Sequence, residues 1–116
     1  MRELNATKSI LAKVLLKARA SDAKRIKSVQ FVIGELSELD HDSIQKHWIE
    51  LSRGTSAERA QLDFRFITAE VQCMACFGKY HPVDGKIHCP YCGSYGAKIL
   101  SGEEFYLESI ELDEET

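Results

Sequence analysis

The chain has 116 residues, of which 44% are hydrophobic and 28% charged, and its formal net charge is −3. These values are typical of a globular domain that forms its own core, and they exclude disordered and low-complexity classes. The longest apolar run near the start, SILAKVLLKARA, is interrupted by two lysines and is too short and too charged for a membrane span or a signal peptide. We therefore expect a cytoplasmic protein without a membrane partner.

The first predicted element is an amphipathic helix from Leu4 to Ala18, whose apolar residues recur at three- and four-residue spacing. Residues 1–30 carry eight Lys or Arg against two acids, which leaves seven against sixteen in the rest of the chain. Such a basic face could dock on an acidic partner or on nucleic acid, although a solvated helix surface is the simpler interpretation.

A strand and a second helix are predicted next. A β-branched and aromatic run from Ile26 ends at Gly34, as a strand would. Asp40 offers an N-cap oxygen to a helix whose Ile44 and Trp48 share a face, and Gly54 stands at the predicted stop.

The remaining elements are two strands on either side of a cysteine-rich segment. Leu62, Phe64 and Phe66 alternate with polar residues, which predicts a strand that leads straight towards Cys73. The last strand covers 103–112, and its apolar residues change phase across Ser109, as a bulge would allow. We expect a core that contains Phe31, Ile33, Phe64, Phe66, Phe105 and Leu107.

This order of elements predicts an α+β fold, a small sheet with two helices on one side and an inserted, zinc-ribbon-like four-cysteine subdomain. The expected domains are 1–69 together with 103–116, and 70–102.

All four cysteines lie in the segment CMACFGKYHPVDGKIHCPYCG, as two Cys-x-x-Cys pairs separated by twelve residues. Two such turns can aim four thiolates at one ion, and tetrahedral sulfur ligation is typical of structural Zn²⁺. Pro90, Gly93 and Gly78 suit tight turns around a metal, and the residues between the pairs suit a hairpin that turns at 83–86. The sequence therefore predicts a closed zinc site at Cys73, Cys76, Cys89 and Cys92.

Other uses of these thiols fit the sequence less well. Disulfides are typical of secreted proteins, and a redox motif would have one Cys-x-x-Cys opening a helix. Iron in the same four-sulfur geometry stays an alternative, because the ligands alone do not separate it from zinc. Nucleic-acid binding requires a basic surface, and residues 70–102 hold three Lys against two acids.

The four histidines are weaker candidates. His81 and His88 could replace a thiolate or form a second site, but surface or supporting positions are the simpler expectation. His41 and His47 are six residues apart and do not share a helix face. No nucleophile context and no Gly-rich phosphate loop occurs, so the sequence does not predict an enzyme.

Several segments in order resemble the hydrogenase nickel-incorporation family HypA/HybF, a family of small metallochaperones. They are MRELNATKSIL, VIGELSELD, LSRGTSAERAQLDF, the two cysteine pairs and SGEEFYLESIEL, which together span nearly the whole chain. The resemblance implies an α+β nickel-binding domain, a zinc domain on the four thiolates, and delivery of Ni²⁺ to the hydrogenase large-subunit precursor or to urease maturation proteins. It also implies a nickel-handling GTPase as partner.

One position departs from this family. Family members have His at residue 2, whose imidazole and amide bind nickel together with the terminal amine, and this chain has Arg2. A guanidinium has no lone pair to offer, so Arg2 is not expected to ligate. Met1 and Glu3 are the remaining candidate ligands. The alternative function is a zinc-stabilised protein-interaction module that has lost nickel delivery.

Overall fold

A computed structural model of the chain describes residues 2–22, 25–84 and 86–113. Met1 and Gly85, to which the sequence assigned roles, lie outside them. The helices are α1 (Arg2–Ala20) and α2 (His41–Leu51). The strands are β1 (Arg25–Gly34), β2 (Gln61–Ile67), β3 (Glu70–Cys73), β4 (Lys79–Tyr80), β5 (Ala97–Ser101) and β6 (Phe105–Asp113). The α+β class is therefore confirmed. None of the helices in the described part of the chain is long and apolar enough to cross a membrane.

The strands form two three-stranded sheets, with the orders β2-β1-β6 and β4-β3-β5. The chain divides into two compact units. The first contains the described residues of Met1–Phe31, Leu39–Arg65 and Tyr106–Thr116, and the second contains those of Val32–Glu38 and Phe66–Phe105. The cysteine segment lies entirely within the second unit.

The core of the first unit comes from both helices and from β1. In α1, the buried residues repeat at helical spacing and bring α1 against α2. The Trp48 ring meets the Phe31 ring edge-on at 6.0 Å, and its indole N–H donates to the Ala57 carbonyl at 3.3 Å. The fully or almost fully buried apolar side chains of this core are Ile10, Leu11, Val14, Ala18, Ile26, Val29, Phe31, Ile44, Trp48 and Ala57.

Helix α2 begins as predicted. The Asp40 side chain accepts a hydrogen bond from the Asp42 N–H, which satisfies a backbone donor that the first turn leaves unpaired. The helix ends at Leu51, where the Ser52 N–H donates to the Trp48 carbonyl. Gly54, the predicted stop, follows the end of the helix and adopts a φ of +77°.

The predicted strand through Phe66 is partly wrong. Alternation holds from Leu62 to Phe64, and then Arg65 and Phe66 are both exposed while Ile67 takes the inward phase. The Phe66 side chain is 58% exposed, so it is not a core residue. Strand β2 ends at Ile67, before the cysteine segment, and Cys73 ends β3, which belongs to the other sheet.

Strand β6 confirms the predicted last strand. Its half-buried positions move from Phe105 and Leu107 to Ile110 and Leu112, with Glu108 and Ser109 consecutively exposed. Of the predicted core, Phe31 and Ile33 are buried, while Phe64, Phe105 and Leu107 are half-buried.

Candidate metal centre and the amino-terminal region

The four cysteine sulfurs converge on one point. All four Sγ atoms lie within 4.8 Å of one another, and the pairs Cys73–Cys92 and Cys76–Cys89 are each 3.6 Å apart. Four sulfurs arranged tetrahedrally at about 2.3 Å from Zn²⁺ would be about 3.8 Å apart, so the cluster fits such an ion. Because a disulfide requires about 2.05 Å between sulfurs, these are free thiols rather than two bridges.

Each Cys-x-x-Cys pair lies on a tight backbone turn, and the two turns have the same hydrogen bonds sixteen residues apart. In the first, the Phe77 N–H donates to the Cys73 carbonyl at 3.0 Å and the Cys73 N–H donates to the Gly78 carbonyl at 2.9 Å. In the second, the Gly93 N–H donates to the Cys89 carbonyl and the Cys89 N–H donates to the Ser94 carbonyl, both at 2.9 Å. We call these turns the first and second knuckle.

The glycines of the two knuckles serve different purposes. Gly93 has a φ of +79°, in the left-handed region that favours glycine, as its position after Cys92 predicted. Gly78 is required for space, because a Cβ at this position would lie 2.7 Å from the Tyr91 ring. The left-handed residue of the first knuckle is Phe77, with a φ of 63°.

Backbone amides point at the sulfurs and stabilise thiolates. The N–H groups of Cys76 and Ala75 lie 3.4 and 3.3 Å from the Cys73 sulfur and lower the pKa of that thiol to about 6. The Ser94 amide favours the Cys92 thiolate, but the neighbouring sulfurs of Cys73, Cys89 and Cys76, with partial desolvation, outweigh it and raise the pKa of Cys92 to about 12. The pKa values of Cys73 and Cys89 are lowered and those of Cys76 and Cys92 are raised, so all four sulfurs would be thiolates together only beside a cation such as a divalent metal ion.

A small apolar cluster supports the two inner thiols. Cys73 and Cys89 are buried, whereas Cys76 and Cys92 are exposed. The buried pair packs with Val71 and Tyr80. The predicted hairpin between the cysteine pairs is present as a bridge between Val83 and Lys86, whose N–H donates to the Val83 carbonyl at 2.9 Å.

The two histidines near the cysteines have other contacts. The Nδ1 of His81 is 2.8 Å from the Ala69 carbonyl oxygen, and the His88 ring stacks on Tyr95 at 4.8 Å. Among the described residues, the four cysteines form a possible metal-binding group, and neither His81 nor His88 belongs to it.

At the other end of the chain, Glu3 contacts the start of α2. One Glu3 carboxylate oxygen accepts the Asp40 backbone N–H at 3.1 Å, and this hydrogen bond holds the pKa of Glu3 below its usual value. Nothing in the sequence indicates a contact between residues 37 positions apart. His41, the first residue of α2, lies beside Asp42 at 3.4 Å and meets the Phe64 ring edge-on.

The fold and the cysteine centre together define a small α+β protein with a metal-binding lobe. The family described as hydrogenase/urease nickel incorporation, metallochaperone HypA, matches residues 1–112. This chain belongs to that family, and the resemblance seen in the sequence is confirmed.

Named relatives cover the same length. The hydrogenase maturation factor HypA of Dehalococcoides mccartyi strain 195 is 34% identical over 116 residues, which are 100% of this chain and 98% of the relative. The HypA of Chlorobium limicola is 35% identical over 114 residues, 98% of each chain. A solution structure of the nickel metallochaperone HypA from Helicobacter pylori has a TM-score of 0.65 and 25% identity, covering 95% of this chain and 96% of that one.

Proposed function

We propose that this chain is a nickel metallochaperone for hydrogenase maturation that binds Ni²⁺ near its amino terminus and holds Zn²⁺ in the four-cysteine centre. The observation that carries the proposal is the family match over residues 1–112, which includes both the amino-terminal segment and the cysteine segment. On this proposal the chain acts in the cytoplasm by binding and transfer, not as an enzyme.

Zinc is the proposed resident ion because the four thiols fit its preferred number, softness and geometry of ligands. Cys73, Cys76, Cys89 and Cys92 would hold it and leave no open coordination position, so its role is structural. Elemental analysis of purified protein tests this assignment. One zinc per chain supports it, and iron in place of zinc contradicts it.

Nickel is the proposed cargo, bound by the Met1 amine, the Arg2 amide nitrogen and Glu3. The hydrogen bond from Asp40 to one oxygen of the Glu3 carboxylate orients this group at the amino-terminal end of α1. We expect weaker nickel binding than in members with His at residue 2, because the guanidinium of Arg2 adds positive charge and offers no lone pair.

Calorimetric nickel titration of zinc-loaded protein with a native amino terminus tests the nickel assignment. Arg2→His should tighten binding and Glu3→Ala should weaken it. Arg2→Gln is the matched control, since it removes the charge without supplying an imidazole. Binding by the wild type should strengthen as pH rises, because an amine with a pKa of about 7.7–8.0 must lose its proton before it ligates.

The results separate the candidate functions. Equal affinity of the wild type and Arg2→His would show that residue 2 is not a decisive ligand. If neither protein binds nickel, the chain is better explained as a zinc-stabilised interaction module. Arg2 favours this alternative because it cannot supply the imidazole ligand that other family members have at residue 2.

The proposed partners are a nickel-handling GTPase, the hydrogenase large-subunit precursor and, as an alternative client, urease maturation proteins. The sequence has no phosphate-binding loop of its own, which supports a separate GTPase. No nucleic-acid partner is proposed.

A further inference from the structure

Phe77 is an anomaly in the first knuckle. It occupies the left-handed position that Gly93 holds in the second knuckle, with a φ of 63°. A side chain larger than that of glycine is strained there, and this one is also 68% exposed. Because the second knuckle folds with glycine at the matching position, neither turn geometry nor packing accounts for the exposed ring.

A second aromatic side chain continues this surface. The Tyr91 ring, also 68% exposed, lies directly over Gly78, the residue that follows Phe77. Its hydroxyl donates to the Lys79 carbonyl at 3.3 Å, so the ring of the second knuckle is anchored on the first. The exposed Tyr91 ring therefore lies against Gly78, the chain neighbour of the exposed Phe77, and a side chain at Gly78 would displace the Tyr91 ring.

A row of polar side chains extends from these rings across the sheet. Gln72 on β3 pairs in register with Lys79 on β4 and with Lys98 on β5, and directly opposite residues share one sheet face. The Gln72 amide donates to the Phe77 backbone carbonyl at 3.0 Å, which joins the row to the backbone of the first knuckle. The other face holds the buried residues Val71 and Tyr80. We call the surface formed by Gln72, Phe77, Lys79, Tyr91 and Lys98 the knuckle face.

The charge of the knuckle face indicates what it binds. Both lysines are exposed, and no carboxylate among the described residues pairs with either of them. An acidic partner would supply the missing counter-charges, while exposed aromatic rings are typical centres of protein interfaces. Nucleic acid fits less well, because binding through phosphates takes more cations than two lysines on a chain of net charge −3.

We propose that the knuckle face docks an acidic, apolar segment of a protein client. Under the proposed function, on which this inference rests, the client is the hydrogenase large-subunit precursor. Phe77 and Tyr91 would enter an apolar site on the client, and Lys79 and Lys98 would pair with its carboxylates.

Biolayer interferometry with the purified large-subunit precursor of the same organism tests the proposal, using the full zinc-loaded chain. Phe77→Gly should weaken binding about tenfold or more, as expected for the loss of a central aromatic contact. It should retain one zinc and full thermal stability, because glycine is the residue of the matching knuckle. Lys79→Glu with Lys98→Glu should also weaken binding about tenfold and reduce its salt dependence.

Two controls match these changes outside the knuckle face. Leu16→Ala removes a side chain that is 65% exposed on α1, and Lys46→Glu with Arg53→Glu makes the same change of net charge around α2. Neither should change the affinity for the precursor by more than about twofold, since both changes lie on the surface of the other unit.

Three results would overturn the docking proposal. They are no binding of the precursor by the wild type, wild-type affinity in both knuckle-face variants, or Phe77-dependent binding of a single-stranded oligothymidylate. Nickel titration of the same preparations keeps the two proposals separate. Docking can fail while nickel still binds, and a chain that docks the precursor without binding nickel would contradict the nickel proposal alone.

Discussion

The two compact units are stabilised by different means. The first buries large apolar side chains from α1, β1 and α2, with Phe31 and Trp48 at the centre. Around the cysteines of the second, the buried cluster consists of Val71, Tyr80 and two of the thiols themselves. A segment this small buries too little apolar area to fold on that basis alone, and a metal ion commonly supplies the difference. Removing a bound metal and truncating a core side chain should therefore affect different parts of the chain.

The largest expected effect is on the second unit when the metal is removed. Apparent zinc binding in small structural sites is about 10–16 kcal/mol at neutral pH, so a chelator should unfold 70–102. Hydrogen exchange should become fast at Val71 and Tyr80 and stay slow at Val29, which serves as the internal control. Slow exchange at Val71 in protein shown by elemental analysis to be metal-free would contradict this account.

The next largest effect is the loss of stability when aromatic side chains of β1 and β2 are truncated, and it should differ from one side chain to another. Phe31→Ala should cost about 3–5 kcal/mol, because the ring is fully buried between Trp48 and Phe64. Phe64→Ala should cost less, since Phe64 is half-buried, and Phe66→Ala should stay within about 0.5 kcal/mol. Urea unfolding followed by the fluorescence of the single tryptophan measures all three. Equal losses for Phe31 and Phe66 would show that the burial pattern of β2 is wrong.

The smallest effect concerns the contact between α1 and the start of α2. The hydrogen bond from the Asp40 N–H favours the ionised Glu3 carboxylate and lowers its pKa in the folded protein. This hydrogen bond therefore stabilises the fold fully above the pKa that Glu3 has in the unfolded chain. The stabilisation is lost as the pH falls through the lower pKa of the folded state. Glu3→Gln should therefore destabilise the protein at neutral pH, and the difference from the wild type should disappear on acidification. Thermal unfolding at several pH values, with Glu50→Gln as a control on the exposed side of α2, measures this. A difference that is independent of pH would contradict the ionic origin of the contact.

Sequence patterns correctly predicted the elements that can be recognised from the spacing of neighbouring residues. Helical spacing identified α1, the Asp40 cap identified the start of α2, and the change of phase at Ser109 was read correctly in β6. Alternation failed at Phe66, because β2 changes phase at its end and no pattern of residue types marks that point. The sheet of β3, β4 and β5 was not predicted, since two- to five-residue strands carry too little periodicity to be recognised.

The convergence of the four cysteines follows from the sequence alone, because the spacing of two Cys-x-x-Cys pairs constrains which sulfurs can reach one point, and the turn residue Gly93 is itself visible in the sequence. The partner of Glu3 and the composition of the knuckle face depend on tertiary contacts. Asp40 is far from Glu3 along the chain. Tyr91 reaches Gly78 only when the knuckles fold, and Lys79 and Lys98 share a sheet face only because β3 pairs with both β4 and β5. Pairing between distant segments depends on the packing of the whole unit, and a local pattern does not contain that information.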